Sequence, residues 1–424
     1  MNIKYIKHTY PNGLRLILAP QKESPSVTVA VLVEAGSAYE DKENNGISHF
    51  LEHMCFKGTQ KRPTSMEISS ALESLGASYN AFTSRDMTGY YAKVAYPNFE
   101  KILEIISDMY LNPLFDEKEI EKEKGVIIEE INMYEDQPRS KASQKLENIM
   151  YGDQPAGWDV AGLKENVRRI KKPDFIKYRN NHYHASKTII VISGNINIVT
   201  AKKLVSQYFK KISKNKIIKV VKVKENQTNP KIILTNKKID QTHLSIGVKS
   251  FPVSSENKYP LMLLADILGG GMSSRLFYRI REQLGLAYYV GSSLSLFVTH
   301  GYLEIYAGVN NTMLKKALDA IIKEIKLLLE KGITDKELKR VKDYRIGTFL
   351  LSLETSSDLA FYFAEQEVNL HQIEGPNQII KKIKSVTKDD IYRLAKRVFN
   401  NHSINLSIVG PKQKEEEIQK IFRL

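Results

Sequence analysis

His49, Glu52 and His53 stand at i, i+3 and i+4 in the string His49-Phe50-Leu51-Glu52-His53. On a helix this spacing brings both imidazoles and the carboxylate to one face, a single turn apart. Two imidazoles so placed can reach one zinc ion at about 2.0–2.1 Å. The carboxylate beside the second can take a proton from a metal-activated water. Such a site needs a third protein ligand. In the acidic run from Glu119 to Tyr134, the residues Ile120, Glu123, Ile127, Glu130 and Tyr134 form one stripe at helical spacing. Carboxylates sharing a stripe with Ile and Tyr are costly to bury unless paired or metal-bound. Glu129 lies about 100° away round the helix. Glu130 is therefore read as the third ligand. Glu123, two turns earlier on the same face, is read as a carboxylate that supports a ligand or orients water. The C-terminal part has no second His-x-x-Glu-His, so the expectation is one Zn2+ per chain.

These side chains need elements to hold them. Asn44, Asn45 and Gly46 can start the histidine helix and Gly58 can stop it. Ile47, Phe50, Leu51 and Met54 give that helix an apolar face for a core. Alternating segments at Ser26–Val33, 78–94, 242–248 and 287–309 read as strands, mixed with helices of 10 to 20 residues. Long adjacent strands joined by hairpins indicate an α+β fold, with mostly antiparallel sheets covered on one face by helices.

The pattern runs twice. Asp174-Phe175-Ile176, Asn180-Asn181-His182 and Thr188–Gly194 recur in order as Asp389-Asp390-Ile391, Asn400-Asn401-His402 and Ile404–Gly410. Asp116-Glu117-Lys118-Glu119-Ile120 has its echo in Thr334-Asp335-Lys336-Glu337-Leu338, each opening a long helix with acids in the first turn. The expected organisation is a catalytic half over 1–212, a lysine-rich linker over 213–230 and a homologous half over 231–424.

The chain has 424 residues, of which 42% are hydrophobic and 26% charged, the composition of a globular protein that exceeds one ordinary core. No apolar run is long enough to span a bilayer, and the N-terminus lacks the pattern of a secretory signal or presequence. A lone cysteine, Cys55, excludes an intramolecular disulfide and a cysteine-built metal site. Cytoplasmic residence is the expectation. The net charge of +15 comes from lysines spread along the chain, densest from Lys210 to Lys224. That stretch has no aromatic interleaving and no nucleic-acid-binding signature, so it reads as a solvated linker.

The motif set resembles the pitrilysin family of inverted-motif zinc metallopeptidases, in its short two-domain form. That family pairs His-x-x-Glu-His with a distal Glu after 76 intervening residues, and here 130 − 53 − 1 = 76. The strings His49–Thr59 and Glu123–Glu130 both match, with Glu123 in the supporting position. The resemblance spans essentially the whole chain and implies two α/β-roll halves enclosing a chamber for short or unfolded peptides. It implies that Glu52 is the general base of a zinc endopeptidase, and that an edge strand containing Asn80, Ala81 and Phe82 pairs with the extended substrate. It also implies that Gly269–Arg275 is the family's glycine-rich segment; the residues alone exclude a P-loop, since no Gly-Lys-Ser/Thr follows. Arg279 and Tyr288 match the positions that supply donors to a developing oxyanion. A homodimer is implied by analogy, with neither nucleic acid nor membrane as partner. The rival reading is a silent family member acting as peptide binder or scaffold, against which stands the complete set His49, Glu52, His53 and Glu130. His182 and His184 read as capping or packing residues, Cys55 as a small buried hydrophobe and Trp158 as a packing residue. The region after the distal ligand, Gln137–Gln144, carries no acid that would select a basic residue near the cleavage point.

Overall fold

The computed structural model describes residues 3–214 and 219–424. The lysine-rich stretch therefore falls partly outside the described residues, at 215–218. The first part of the chain runs β1 (Ile6–Thr9), β2 (Arg15–Pro20), β3 (Ser26–Val33), α1 (Ile47–Met54), α2 (Ser65–Glu73), β4 (Ser78–Thr83), β5 (Thr88–Ala95), α3 (Phe99–Leu111) and α4 (Glu117–Asp136). It continues through α5 (Pro138–Tyr151), α6 (Lys164–Arg169), α7 (Lys172–His182), β6 (Thr188–Gly194) and α8 (Ile198–Tyr208). After the lysine-rich stretch come β7 (Lys231–Asn236), β8 (Gln241–Lys249), α9 (Lys258–Gly269), a π-helical turn (Phe277–Gln283), β9 (Ala287–Leu296), β10 (Gly301–Asn310), α10 (Leu314–Lys331) and α11 (Asp335–Leu351). The chain closes with α12 (Ser356–Leu370), α13 (Pro376–Ser385), α14 (Lys388–Val398), β11 (Ile404–Gly410) and α15 (Glu415–Ile421).

Two mixed sheets result, in strand orders β1-β2-β6-β3-β5-β4 and β7-β11-β8-β10-β9. The pairs β2–β6 and β7–β11 are parallel and the others antiparallel. Apart from β1, the second sheet repeats the order of the first, strand for strand. The expected α+β class is observed, with two mostly antiparallel sheets covered by helices; the expected cover on one face only is corrected, because α12 and α5 lie on the second face of each sheet.

The compact units are interleaved along the chain. One comprises residues 1–131, 159–221 and 350–377, and the other 132–158, 222–349 and 378–424. Each unit thus takes one helix from across the lysine-rich stretch, and that helix lies on the sheet face opposite the main helical layer. In the first unit, Tyr90 of β5 belongs to the main core, whereas its neighbour Tyr91 points the other way and meets Phe361 of α12 at 4.8 Å between ring centroids. The Thr28 hydroxyl of β3 meets Ser356 Oγ on the same side, at 2.9 Å. In the second unit Leu146 and Met150 of α5 press on β8 at Gly247, where an added Cβ would lie 2.8 Å from Leu146 Cδ2. With both faces covered, β6 and β11 are buried throughout and β3 (SVTVAVLV) at all but its first residue; all three are near-continuous apolar or small runs rather than alternating ones.

Candidate metal centre

Helix α1 is anchored by its apolar face. Phe50, Leu51 and Met54 are buried, and the Phe50 ring meets Phe175 edge-on at 4.9 Å. Its N-terminus is not capped by the asparagines. Gly46 at the N-cap is left-handed (φ 101°), and an added Cβ would lie 2.7 Å from the Ala161 carbonyl oxygen, so only glycine fits. The capping acceptor is Glu40. Its Oε2 accepts from the Gly46 backbone N–H and the Asn45 amide, both at 2.9 Å, and its Oε1 accepts from the Ser48 N–H at 2.8 Å. A fully buried carboxylate thereby satisfies backbone donors that the first turn would leave unpaired.

The opposite face presents His49, Glu52 and His53 to α4. Glu130 Oε2 lies 3.6 Å from His49 Nε2 and 3.6 Å from His53 Nε2, and the three donor groups lie within 4.8 Å of one another. A tetrahedral zinc with bonds of about 2.0–2.1 Å holds its ligand atoms about 3.3–3.4 Å apart. The three residues therefore fit one zinc ion with only small adjustment. Burial, and then the neighbouring His53, lower the His49 pKa to about 4, which keeps that imidazole neutral as a ligand must be. Glu129 is exposed on another face of α4.

Glu123 is 2% exposed. Its Oε1 lies 2.9 Å from His53 Nδ1, and its Oε2 lies 2.5 Å from the Lys57 ammonium. Burial favours the neutral acid, but the hydrogen bonds from His53 and Lys57 outweigh it and hold this carboxyl below the usual range. An ionised Glu123 accepting from Nδ1 leaves Nε2 as the lone-pair donor, turned toward Glu130. Glu52 has a different partner: its Oε2 accepts from the Thr83 hydroxyl at 2.6 Å. Burial raises the Glu52 pKa, against the hydrogen bond from Thr83.

Strand β4 lies at the sheet edge and pairs with β5 alone among the described strands. Asn80 is exposed there, Ala81 is buried beneath it, and Phe82 is half-buried on the Asn80 side, 6.0 Å from the Phe361 ring. Arg279 and Tyr288 belong to the other unit. Arg279, on the π-helical turn, donates to Gln283 Oε1 at 2.9 Å, and Tyr288, at the start of β9, is 60% exposed. In the glycine-rich segment, Gly269 ends α9, where an added Cβ would lie 2.2 Å from the Ser292 backbone nitrogen.

The residues set aside on sequence sit as follows. Cys55 is buried with Sγ 3.4 Å from the Tyr90 hydroxyl. His182 packs against Tyr178, and His184 Nδ1 lies 3.1 Å from Ser186 Oγ. The Trp158 indole donates to Asp153. Glu40, Lys57 and Thr83 touch the centre or its helix without having been singled out from sequence. Lys57 did carry a signal, one turn beyond His53. Thr83 in a strand reads as an ordinary β-branched residue.

The chain matches two family profiles: insulinase (peptidase family M16) over residues 15–162 and the peptidase M16 inactive domain over residues 169–344. It is 33% identical over 405 residues to the "uncharacterized zinc protease YmxG" of Bacillus subtilis, covering 96% of this chain and 98% of that one. It is 32% identical over 404 residues to a protein of Rickettsia felis also described as a zinc protease, covering 94% and 96%. A protease from Helicobacter pylori has the same fold, with a TM-score of 0.91 at 24% identity over 97% of this chain and 100% of that one. An M16-like peptidase from Alicyclobacillus acidocaldarius superposes at 0.87, with 21% identity and coverage of 97% and 99%. On its sequence relatives and its matched profiles, this chain belongs to the insulinase family of peptidases, peptidase family M16.

Proposed function

We propose that this zinc peptidase cuts short or unfolded peptides internally, with Glu52 moving the proton and His49, His53 and Glu130 holding the ion. The observation carrying this reading is the convergence of the three ligand side chains from α1 and α4, each 3.6 Å pair sharing Glu130 Oε2. When bound, zinc supplies Lewis acidity to the scissile carbonyl and acidifies the attacking water. Glu52 takes the water's proton at Oε1, which has no protein partner among the described residues, and passes it to the leaving amine. Glu123 holds His53 in the tautomer that leaves Nε2 for the ion. The free edge of β4, at Asn80, Ala81 and Phe82, offers backbone N–H and C=O groups to an extended peptide, which selects for shape over sequence. Arg279 and Tyr288 are the proposed oxyanion donors, a role supported by the exposure of the Tyr288 phenol. The proposed assembly is a pair of copies, working in the cytoplasm on peptides and not on nucleic acid. No helix among the described residues is long and apolar enough to cross a membrane.

A silent, peptide-binding subunit is the second reading, favoured by the match of residues 169–344 to an inactive-domain profile. That domain lies outside the ligand set, which is complete. Zinc content and cleavage of a fluorogenic peptide by wild type beside Glu52→Gln decide between them. The expected result is about one zinc per chain in both proteins and a loss in the variant of about 10²–10⁴-fold in turnover. A metal-loaded wild type that binds peptides without cutting them establishes the silent subunit instead.

A further inference from the structure

We infer that Thr83 is a positioning residue for the Glu52 carboxylate, tying the proton carrier to the end of the edge strand β4. This rests on the reading of Glu52 as general base. The hydrogen bonds around Thr83 direct its hydroxyl proton to the ionised Glu52 carboxylate. Thr83 Oγ1 lies 2.6 Å from Glu52 Oε2 and 3.4 Å from Thr88 Oγ1, and Thr88 Oγ1 lies 2.9 Å from the Ala35 carbonyl oxygen. A carbonyl oxygen can only accept, so the Thr88 proton goes to Ala35. An ionised carboxylate can only accept, so the Thr83 proton goes to Glu52. At 2.6 Å this is a short, charge-assisted bond.

The donor itself cannot drift. Thr83 is the last residue of β4, opposite Thr88 across the hairpin. The turn that follows is closed by the Ser84 N–H to the Met87 carbonyl at 2.8 Å. It is also held from outside, by the Ser37 and Ala38 N–H groups on the Ser84 and Arg85 carbonyls. Gly36 packs so closely on this turn that an added Cβ would lie 2.2 Å from the Ser84 oxygen. One oxygen of Glu52 is thus fixed to a rigid turn, and Oε1 is left to face the water. The same strand end that holds the base also closes the edge offered to a peptide. Peptide pairing along β4 and base orientation therefore share one rigid segment.

The test uses full-length, zinc-loaded protein with Thr83→Val and Thr83→Ser. Valine keeps the β-branched shape that suits a strand and removes only the donor; serine keeps the donor. For Thr83→Val the expected outcome is a fall in kcat of about 10- to 100-fold, the scale of a misplaced reacting group, with KM within twofold and zinc content unchanged. Thr83→Ser is expected to retain at least a third of wild-type kcat. A second readout is independent of turnover: the side-chain carboxyl carbon-13 resonance of Glu52, identified by its loss in Glu52→Gln, shifts in Thr83→Val and stays in place in Thr83→Ser. A Thr83→Val protein with wild-type kcat, a serine variant as slow as the valine one, or an unmoved Glu52 resonance would each overturn the inference. A wild type that shows no zinc-dependent cleavage while the resonance still shifts would remove the proposed function and leave the hydrogen bond standing.

Discussion

The same two-helix contact is built twice in this molecule with opposite chemistry. In the first unit α1, between β3 and β4, meets α4. In the second unit α9, between β8 and β9, meets α11. Counted from the helix starts Glu117 and Asp335, Glu123 and Val341 share an offset (123 − 117 = 341 − 335 = 6), as do Glu130 and Thr348 (130 − 117 = 348 − 335 = 13). Where α4 buries an acid against a histidine, α11 buries a valine that is 2% exposed. Where α4 aims Glu130 at two imidazoles, α11 has Thr348 donating to its own helix at the Tyr344 carbonyl. The second contact is closed instead by Arg345, which donates to both carboxylate oxygens of Asp266 on α9, at 2.8 and 2.5 Å. A scaffold of this kind does not require a metal to bring its helices together. In the first unit the polar groups at the contact are arranged for a ligand, and in the second they satisfy each other.

Giving α4 the residue that α11 carries is the sharpest way to break this comparison. Glu123→Val frees His53 Nδ1 and leaves the Lys57 ammonium without its carboxylate. Zinc affinity, read by competition with a chromogenic chelator, is expected to fall about 10- to 100-fold. Unchanged affinity would reduce Glu123 to a packing residue. The converse change, Arg345→Met, leaves Asp266 buried at 6% exposure without its partner. A loss of about 1–3 kcal/mol in unfolding free energy is expected, below the full cost of breaking a buried pair because the arginine is partly solvated. Zinc content should not move, and adding Asp266→Leu should restore most of the stability. Zinc loss in Arg345→Met would mean that the two contacts are not independent.

The smallest effect is expected at the starts of the two long helices, where Glu119 and Glu337 again share an offset (119 − 117 = 337 − 335 = 2). Burial disfavours the Glu337 carboxylate, but Arg275 at 2.6 Å and the Thr334 N–H outweigh it and hold its pKa at about 2. A carboxyl depressed in the fold adds stability above its ordinary pKa of about 4.5 and loses it as the pH falls toward 2. Urea midpoints taken from about pH 5 to pH 3 should therefore decline less steeply in Glu337→Gln than in wild type. Glu119, at the matching position, lies 3.8 Å from Lys122. Equal slopes in the two proteins would contradict the assignment.

Much of this was legible in the residues because it is periodic. The stripe that selected Glu130 over Glu129 is a property of one helix, as is the grouping of His49, Glu52 and His53. The recurrence of helix starts and closing strands across the chain likewise rests on local patterns. Three features were out of reach for a common reason. Glu40 caps α1 from an irregular segment, and no period links it to Ser48. Thr83 has the residue type any strand would use, and only the approach of Glu52 gives its hydroxyl a task. The placement of α5 and α12 depends on which sheet face lacks cover, and an amphipathic stripe does not say which surface will receive it. Thr28 and Tyr91 on one sheet and Gly247 on the other show those faces to be shaped for helices distant in the chain.

The crossed-over helices bear on how this polypeptide can be divided. A cut within residues 213–230 would produce a first fragment whose β3 and β5 expose Thr28 and Tyr91, while Leu146 and Met150 of α5 have no strand to rest on. The second fragment would carry α12 with nothing to cover, and β8 would be bare at Gly247. Each piece would thus complete the other, so co-expressed fragments should recover native structure that neither attains alone.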